Sequence, residues 1–270
     1  VGSMPSALVA DHDRETAYVI NQGDNSVTML AAWDGAYLYG TLAASTLGVG
    51  LSPVAAAVNT TDGILYVVNS GEDTITYIDT VVGDYLYGTL AASSFPTGAG
   101  PAGVAWTDSP YPGRVLVTNK IDGTVSVLEA VSGAPWFGTL AESTSSSVGD
   151  GPGPVASLRS RFYVANENDN TLVVLSSVLI NGVLPYVTDT VPTGEQPSAL
   201  VASEADNKLY LATTAGNEVT VCDRDTATED LPNSTFQVGN NPRAVAVNPA
   251  ANLIYVANRY GDTVTYLDAN

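Results

Sequence analysis

One short phrase recurs six times along this chain. Tyr18-Val19-Ile20-Asn21, Tyr66-Val67-Val68-Asn69, Leu116-Val117-Thr118-Asn119, Tyr163-Val164-Ala165-Asn166, Tyr210-Leu211-Ala212-Thr213 and Tyr255-Val256-Ala257-Asn258 follow one another at intervals of roughly 45 to 50 residues. A period of that length belongs to solenoids, propellers and similar arrays, in which each copy is one supersecondary unit and the core forms between neighbouring copies. The repeats run approximately 1–48, 49–96, 97–147, 148–192, 193–237 and 238–270 with no break in composition, and they predict a single domain.

Within one repeat the pattern is that of strands between tight turns. Arg243 to Val247, Leu253 to Asn258 and Thr263 to Asp268 are short and rich in β-branched or aromatic residues, and each is bounded by Gly, Pro, Asn or Asp. Segments such as Asn21 to Ser26 and Asn166 to Thr171 supply the Asn, Asp and Gly that a hairpin turn needs for positive φ. A fourth strand is expected at Tyr37 to Ala43, Tyr85 to Ala91 and Trp136 to Ala141. Four short antiparallel strands per repeat make a propeller blade, and no helical period appears anywhere. The predicted fold is an all-β, six-unit β-propeller of four-stranded antiparallel blades. Its innermost strands are expected near Ser6 to Ala10, Val54 to Val58, Ala102 to Trp106, Ser198 to Ala202 and Arg243 to Val247, with a trimmed loop between Pro152 and Tyr163.

The Tyr-Val-x-Asn core, the preceding Gly-x-x-Pro (Gly2 to Pro5, Gly50 to Pro53, Gly98 to Pro101, Gly149 to Pro152, Gly194 to Pro197, Gly239 to Pro242) and the trailing Thr-Val-x-x-Leu/Ile-Asp resemble the YVTN-type β-propeller repeat over essentially the whole chain. Leu116 and Thr213 depart from that pattern. The resemblance implies a scaffold rather than one activity, because such propellers include archaeal surface-layer proteins, periplasmic binding proteins and distant relatives among lactonases and cofactor-bearing dehydrogenases. Propellers of this kind usually close by pairing a terminal segment with the last blade. Here the chain opens at Val1-Gly2, inside a repeat, and ends just after a third strand. The last blade is therefore expected to lack its outer strand, either because the chain is a piece of a longer protein or because a partner supplies the strand.

Composition narrows the partners. The formal net charge is −19, with Lys120 and Lys208 as the only lysines beside seven arginines, and such a surface repels nucleic-acid phosphates and anionic membranes. No apolar run approaches the ~18 residues that a membrane helix needs. No nucleic acid and no membrane insertion are expected, and the acidic, lysine-poor composition points to a secreted, cell-surface or periplasmic setting. Cys222 stands alone in a strand-like run and reads as a small buried hydrophobe.

The inventory of catalytic groups is sparse. His12 is the only histidine and sits in the loop Asp11-His12-Asp13-Arg14-Glu15, so no catalytic residue, metal ligand set or cofactor is assigned. The acids Asp24, Glu72, Asp73, Asp122, Glu167, Asp169, Glu218 and Asp262 occupy the same turn of successive blades and read as solvated turn residues. Their oxygens could also hold a cation. The residue after each repeat proline is Ser6, Val54, Ala102 and Ser198, and then Arg243, a lone cation. Arg243, Arg259, Tyr260 and Lys120 are the candidate ligand-binding residues at a channel face, against a plain reading as salt bridges to turn acids. The uncharged, aromatic stretches carrying Tyr37, Tyr39, Tyr85, Tyr87 and Trp136 are the candidate partner-binding surface.

The expected function is a non-enzymatic extracellular or cell-surface scaffold that binds a protein or glycan partner, self-assembles, or docks a neighbouring domain through edge strands. The alternative is a propeller hydrolase or lyase, lactonase-like, with a channel-bound divalent cation.

Overall fold

A computed structural model describes residues 1–31, 46–80, 94–107, 113–129, 146–176, 186–223 and 233–268, which form strands and turns with no helix among them. The chain divides into two compact units, 1–145 and 146–270. Six small antiparallel sheets follow one another along the chain as the blades of a β-propeller.

In the first unit, β1 (Pro5–Asp11), β2 (Thr16–Asn21), β3 (Ser26–Ala31) and β4 (Thr46–Gly48) form the first sheet in that order. The second is β5 (Pro53–Asn59), β6 (Ile64–Asn69), β7 (Thr74–Asp79) and β8 (Ser94–Pro96), and the third contains β9 (Pro101–Thr107), β10 (Arg114–Asn119) and β11 (Thr124–Glu129). The second unit opens with β12 (Ser146–Ser147). Its sheets are β13 (Pro152–Leu158), β14 (Arg161–Asn166), β15 (Thr171–Ser176) and β16 (Tyr186–Pro192), then β17 (Pro197–Ser203), β18 (Lys208–Thr213), β19 (Glu218–Asp223) and β20 (Asn233–Gln237), then the three strands β21 (Pro242–Asn248), β22 (Leu253–Asn258) and β23 (Thr263–Asp268). The innermost strands lie where the repeat predicts them. So does the trimmed loop, where Leu158 pairs directly with Arg161 across a turn that places Arg159 at φ 54°.

The fourth strands differ from expectation. β4 and β8 are short and lie after the aromatic stretches, because the residues that continue the β3 and β7 ladders are Thr46 to Gly48 and Ser94 to Pro96. The predicted outer strands, with Tyr37, Tyr39, Tyr85, Tyr87 and Trp136, lie outside the described residues.

The second strand of each repeat is apolar at nearly every position because both of its faces are covered. In β6, Leu65 and Val67 pack with Tyr18, Ile20 and Ile78 on the first sheet's side, while Ile64, Tyr66 and Val68 pack with Val104, Val115 and Val117 toward the third. The period-2 alternation of a strand thus feeds two cores from one segment. Each such fully buried side chain stabilises the fold by about 1.5–3 kcal/mol. In the second unit, Leu209 and Leu211 face the fourth sheet and Tyr210 and Ala212 face the sixth. On the sixth sheet the corresponding face is bare: Tyr255, Val264 and Tyr266 are 39%, 64% and 73% exposed.

Two motifs of the repeat meet in space. The buried asparagine that ends the second strand donates its amide to two hydroxyls of the following strand: Asn69 to Thr74 and Thr76 at 3.1 and 2.9 Å, and Asn258 to Thr263 and Thr265 at the same distances. The glycine of Gly-x-x-Pro lies against that amide. A Cβ at Gly239 would stand 2.5 Å from Asn258 Nδ2. Successive sheets are also joined by a clasp. Asn25, Asp73, Asn170 and Asn217, all at positive φ in their hairpin turns, accept the backbone N–H of Ser52, Gly100, Gln196 and Asn241 at 2.7–2.8 Å. Each of those donors precedes the proline that opens the next sheet.

Candidate functional site

In five of the six repeats the residue after the repeat proline occupies a β-bulge. Pro5 pairs with Asn21 and Ala7 with Ile20, which leaves Ser6 as the extra residue. Val54, Ala102, Ser198 and Arg243 are extra in the same way. A bulged residue leaves the ladder's alternation, so its side chain is re-aimed without disturbing its neighbours' pairing. Ser6 Oγ donates to Pro53 O at 2.9 Å and Ser198 Oγ to Pro242 O at 2.7 Å, each tying its sheet to the next. Arg243 instead holds its guanidinium by donating Nε to Asn241 Oδ1 at 3.1 Å and leaves the rest exposed.

Arg243 projects into two clefts of the second unit. One, of about 450 Å³, is lined by Glu167, Glu195, Gln196, Ser198, Thr214 and Arg243 among others. That volume is within the range of small-molecule sites. Glu167 is half-buried, and its Oε1 lies 2.5 Å from where a Cβ on Gly153 would be, so the absence of a side chain at Gly153 makes room for the carboxylate. The other cleft, of about 380 Å³, brings Arg243 together with Arg259, Asp262 and Asn258. Arg259 places its guanidinium 5.8 Å from the centre of the Tyr260 ring, a cation–π contact.

The predicted channel-face residues are therefore partly assembled. Arg243 and Arg259 share a cleft, with Tyr260 beside Arg259, whereas Lys120 belongs to a turn of the first unit, where its N–H donates to Gly100 O at 2.8 Å. The plain reading of the arginines as salt-bridged to turn acids is not what is seen. Arg14 and Asp11 form an ion pair, 3.0 Å apart in the turn that also contains His12. The turn acids accept N–H and O–H donors instead: Asp122 accepts Ala99 N at 2.6 Å and Asp169 accepts Asp150 N at 2.7 Å, each from the loop that opens its sheet, and Glu72 accepts Thr74 Oγ1 at 2.9 Å. Among the described residues no three metal-ligating side chains converge. Glu195 was not singled out from the sequence because it lies between Gly194 and Pro197 in what reads as a connecting turn. Only the neighbouring turn of β14–β15 makes it a cleft residue.

The perturbed ionisable groups lie elsewhere. Burial pushes the Cys222 thiol up to about 11, and burial with a 2.6 Å hydrogen bond to Asp206 raises Tyr210 above the usual phenol range. Tyr66 is raised chiefly by burial. All three are core side chains.

Solved structures share this architecture. A functionally unknown protein from Desulfotomaculum acetoxidans superposes with a TM-score of 0.80 at 14% identity, covering 99% of this chain and 83% of its own. A candidate 6-phosphogluconolactonase from Bacteroides uniformis gives 0.76 at 16% identity, covering 98% and 81%, and one from Bacteroides fragilis gives 0.73 at 15%, covering 98% and 83%. At these identities the likeness is one of fold. No curated protein matches the chain by sequence. Residues 56–270 match the profile of the family described as Lactonase, 7-bladed beta-propeller. That match replaces the YVTN-type likeness with a different propeller family. It also overturns the expectation of a non-enzymatic binding scaffold, since bulges and turns that look purely architectural in sequence are here the framework of a family named for a hydrolytic activity. The match takes in every sheet of the second unit and most of the first, and the chain belongs to the Lactonase, 7-bladed beta-propeller family.

Proposed function

We propose that this protein hydrolyses lactones in the cleft that contains Arg243, Glu167 and Glu195. The observation that carries the reading is the bulge at Arg243, which puts a guanidinium into the same cleft as two carboxylates in a chain of the lactonase family. Two structural neighbours named as candidate 6-phosphogluconolactonases make a sugar-sized lactone the substrate to test first.

The reaction adds water across one ester bond. The water oxygen attacks the lactone carbonyl carbon, the carbonyl electron pair moves onto oxygen, and collapse of that intermediate breaks the ring C–O bond to leave a hydroxy acid. Glu167, held by its half-buried position over Gly153, takes the water's proton and returns it to the departing ring oxygen. Such general base–acid assistance is worth about 10²- to 10⁴-fold. The Arg243 guanidinium, steadied by Asn241, donates to the developing oxyanion, a role typically worth about 10²- to 10³-fold in kcat. Glu195 orients the substrate by accepting hydrogen bonds from its hydroxyl groups.

The test is the rate of acid release from γ- and δ-lactones of sugar acids, corrected for spontaneous opening. The expected result is saturable acceleration that Glu167→Gln and Arg243→Ala each reduce by at least 10²-fold while the melting temperature is retained. Absence of acceleration by the unaltered protein, or full activity in both variants, would overturn the assignment.

A further inference from the structure

Building on the lactone-hydrolase reading, we propose that the site selects an uncharged lactone and discriminates against one that carries a phosphate ester. The argument is the distribution of charge along the strands of the second unit. The cleft opens at the strand ends marked by Asn166, Pro197, Thr213 and Pro242. At those ends stand Asp150, Glu167, Asp169, Glu195, Glu218 and Asp262, against Arg243 and Arg259, so six negative groups meet two positive ones for a local balance of −4.

The remaining described bases of this unit do not redress it. Arg161 and Lys208 open β14 and β18, whose other ends, Asn166 and Thr213, border the cleft, and Arg159 lies in the turn just before β14. Six residues of strand separate the two ends by roughly 17–20 Å. That exceeds the Debye length of about 8 Å at physiological ionic strength, where these bases are screened from the cleft, and at low salt they are outweighed by the chain's net −19. Neither cleft arginine is arranged as a phosphate clamp: Arg243 spends Nε on Asn241, and Arg259 lies over Tyr260. A phosphate monoester brings about −1.5 to −2 charges and three strong acceptors, which two separately held guanidiniums within a rim of net negative charge do not match. A neutral polyol lactone meets the same rim as a set of hydrogen-bond acceptors for its hydroxyls, with no charge to repel. The −19 of the whole chain lowers the encounter rate of an anion further.

The experiment compares kcat/KM of the whole chain for glucono-δ-lactone and for its 6-phosphate, at about 10 mM and about 500 mM ionic strength. The expected result is a preference of at least tenfold for the neutral lactone at low salt. That preference should shrink at high salt, as the Debye length falls from about 30 Å toward a few ångström. Glu218→Gln combined with Asp262→Asn, which removes two rim charges and leaves the proposed base in place, should narrow the preference at low salt. Equal or better turnover of the phosphorylated lactone at low salt would overturn the inference while leaving the hydrolase reading intact, as would a preference indifferent to both salt and the double variant. Turnover of neither lactone would instead overturn the hydrolase reading, and this inference with it.

Discussion

Asn241 Oδ1 accepts the Nε–H of Arg243 at 3.1 Å across a single intervening proline, from a backbone held at φ 59°. The residue that holds the guanidinium is thus the same one whose N–H is gripped by Asn217 in the turn of the preceding sheet. Position of the cation and docking of the sheet are coupled through one side chain and one amide. Asn241→Gly keeps the left-handed backbone and removes only the carboxamide. The expected outcome is a several-fold loss of kcat/KM for the lactone with a melting temperature within a few degrees of the parent, read by steady-state kinetics and thermal unfolding.

The clasp itself can be tested at Asn217. Asn217→Gly removes the acceptor at 2.8 Å while tolerating φ 52°, and should lower the unfolding free energy by about 1 kcal/mol. Asn217→Asp retains an acceptor oxygen and should be nearly neutral, since Asp73 performs the same task toward Gly100. Urea midpoints of the two variants measure the difference.

Glycines in this chain are not equivalent, and two of them predict opposite results. At Gly239 a Cβ would stand 2.5 Å from Asn258 Nδ2 and 2.7 Å from its Cγ, inside the buried network that joins β22 to β23. Gly239→Ala should destabilise by about 1–3 kcal/mol. At Gly48, on the short strand β4, an added Cβ meets nothing within 4 Å, and Gly48→Ala should leave the melting temperature unchanged within error.

Alkaline pH offers a further check. Below the ordinary thiol range, near about pH 8.5, folded and unfolded chains both keep the Cys222 proton and the group contributes no pH dependence. Between there and about 11 the unfolded chain releases the proton while the folded chain retains it. The unfolding free energy therefore falls with rising pH, by about 1.4 kcal/mol per unit at most for this one group. Buried Tyr66 and Tyr210, both raised, steepen the loss above about pH 10. Cys222→Ala should be less stable at neutral pH yet flatter between about pH 8.5 and 11, as followed by denaturant titration across that range.

The strands and hairpins were legible in the sequence because each carries its own local chemistry: a doubly apolar Leu65-Tyr66-Val67-Val68, a positive-φ Asn25 or Asp73, a proline that starts the next strand. The contacts that join the motifs within a repeat were less so. Nothing local in Asn69 reveals that it staples Thr74 and Thr76, or that Gly50 must lack a Cβ to admit it. Arg243 stood out as an exception to the repeat, but Glu195 did not, because a carboxylate in a Gly-x-x-Pro loop looks like any solvated turn acid until the adjacent turn supplies Glu167.

The bulge after the proline of five repeats leaves a place in the pattern that side chains of different size and polarity occupy. Serine, valine, alanine and arginine all sit there in this one chain on the same backbone, at Ser6, Val54, Ala102, Ser198 and Arg243, and the flanking ladder registers are alike. Mutation at such a socket changes what the protein presents to a ligand without asking the sheet to re-form. The chain thereby carries a row of interchangeable positions on which new chemistry can be tried one residue at a time, at little risk to the architecture that displays it.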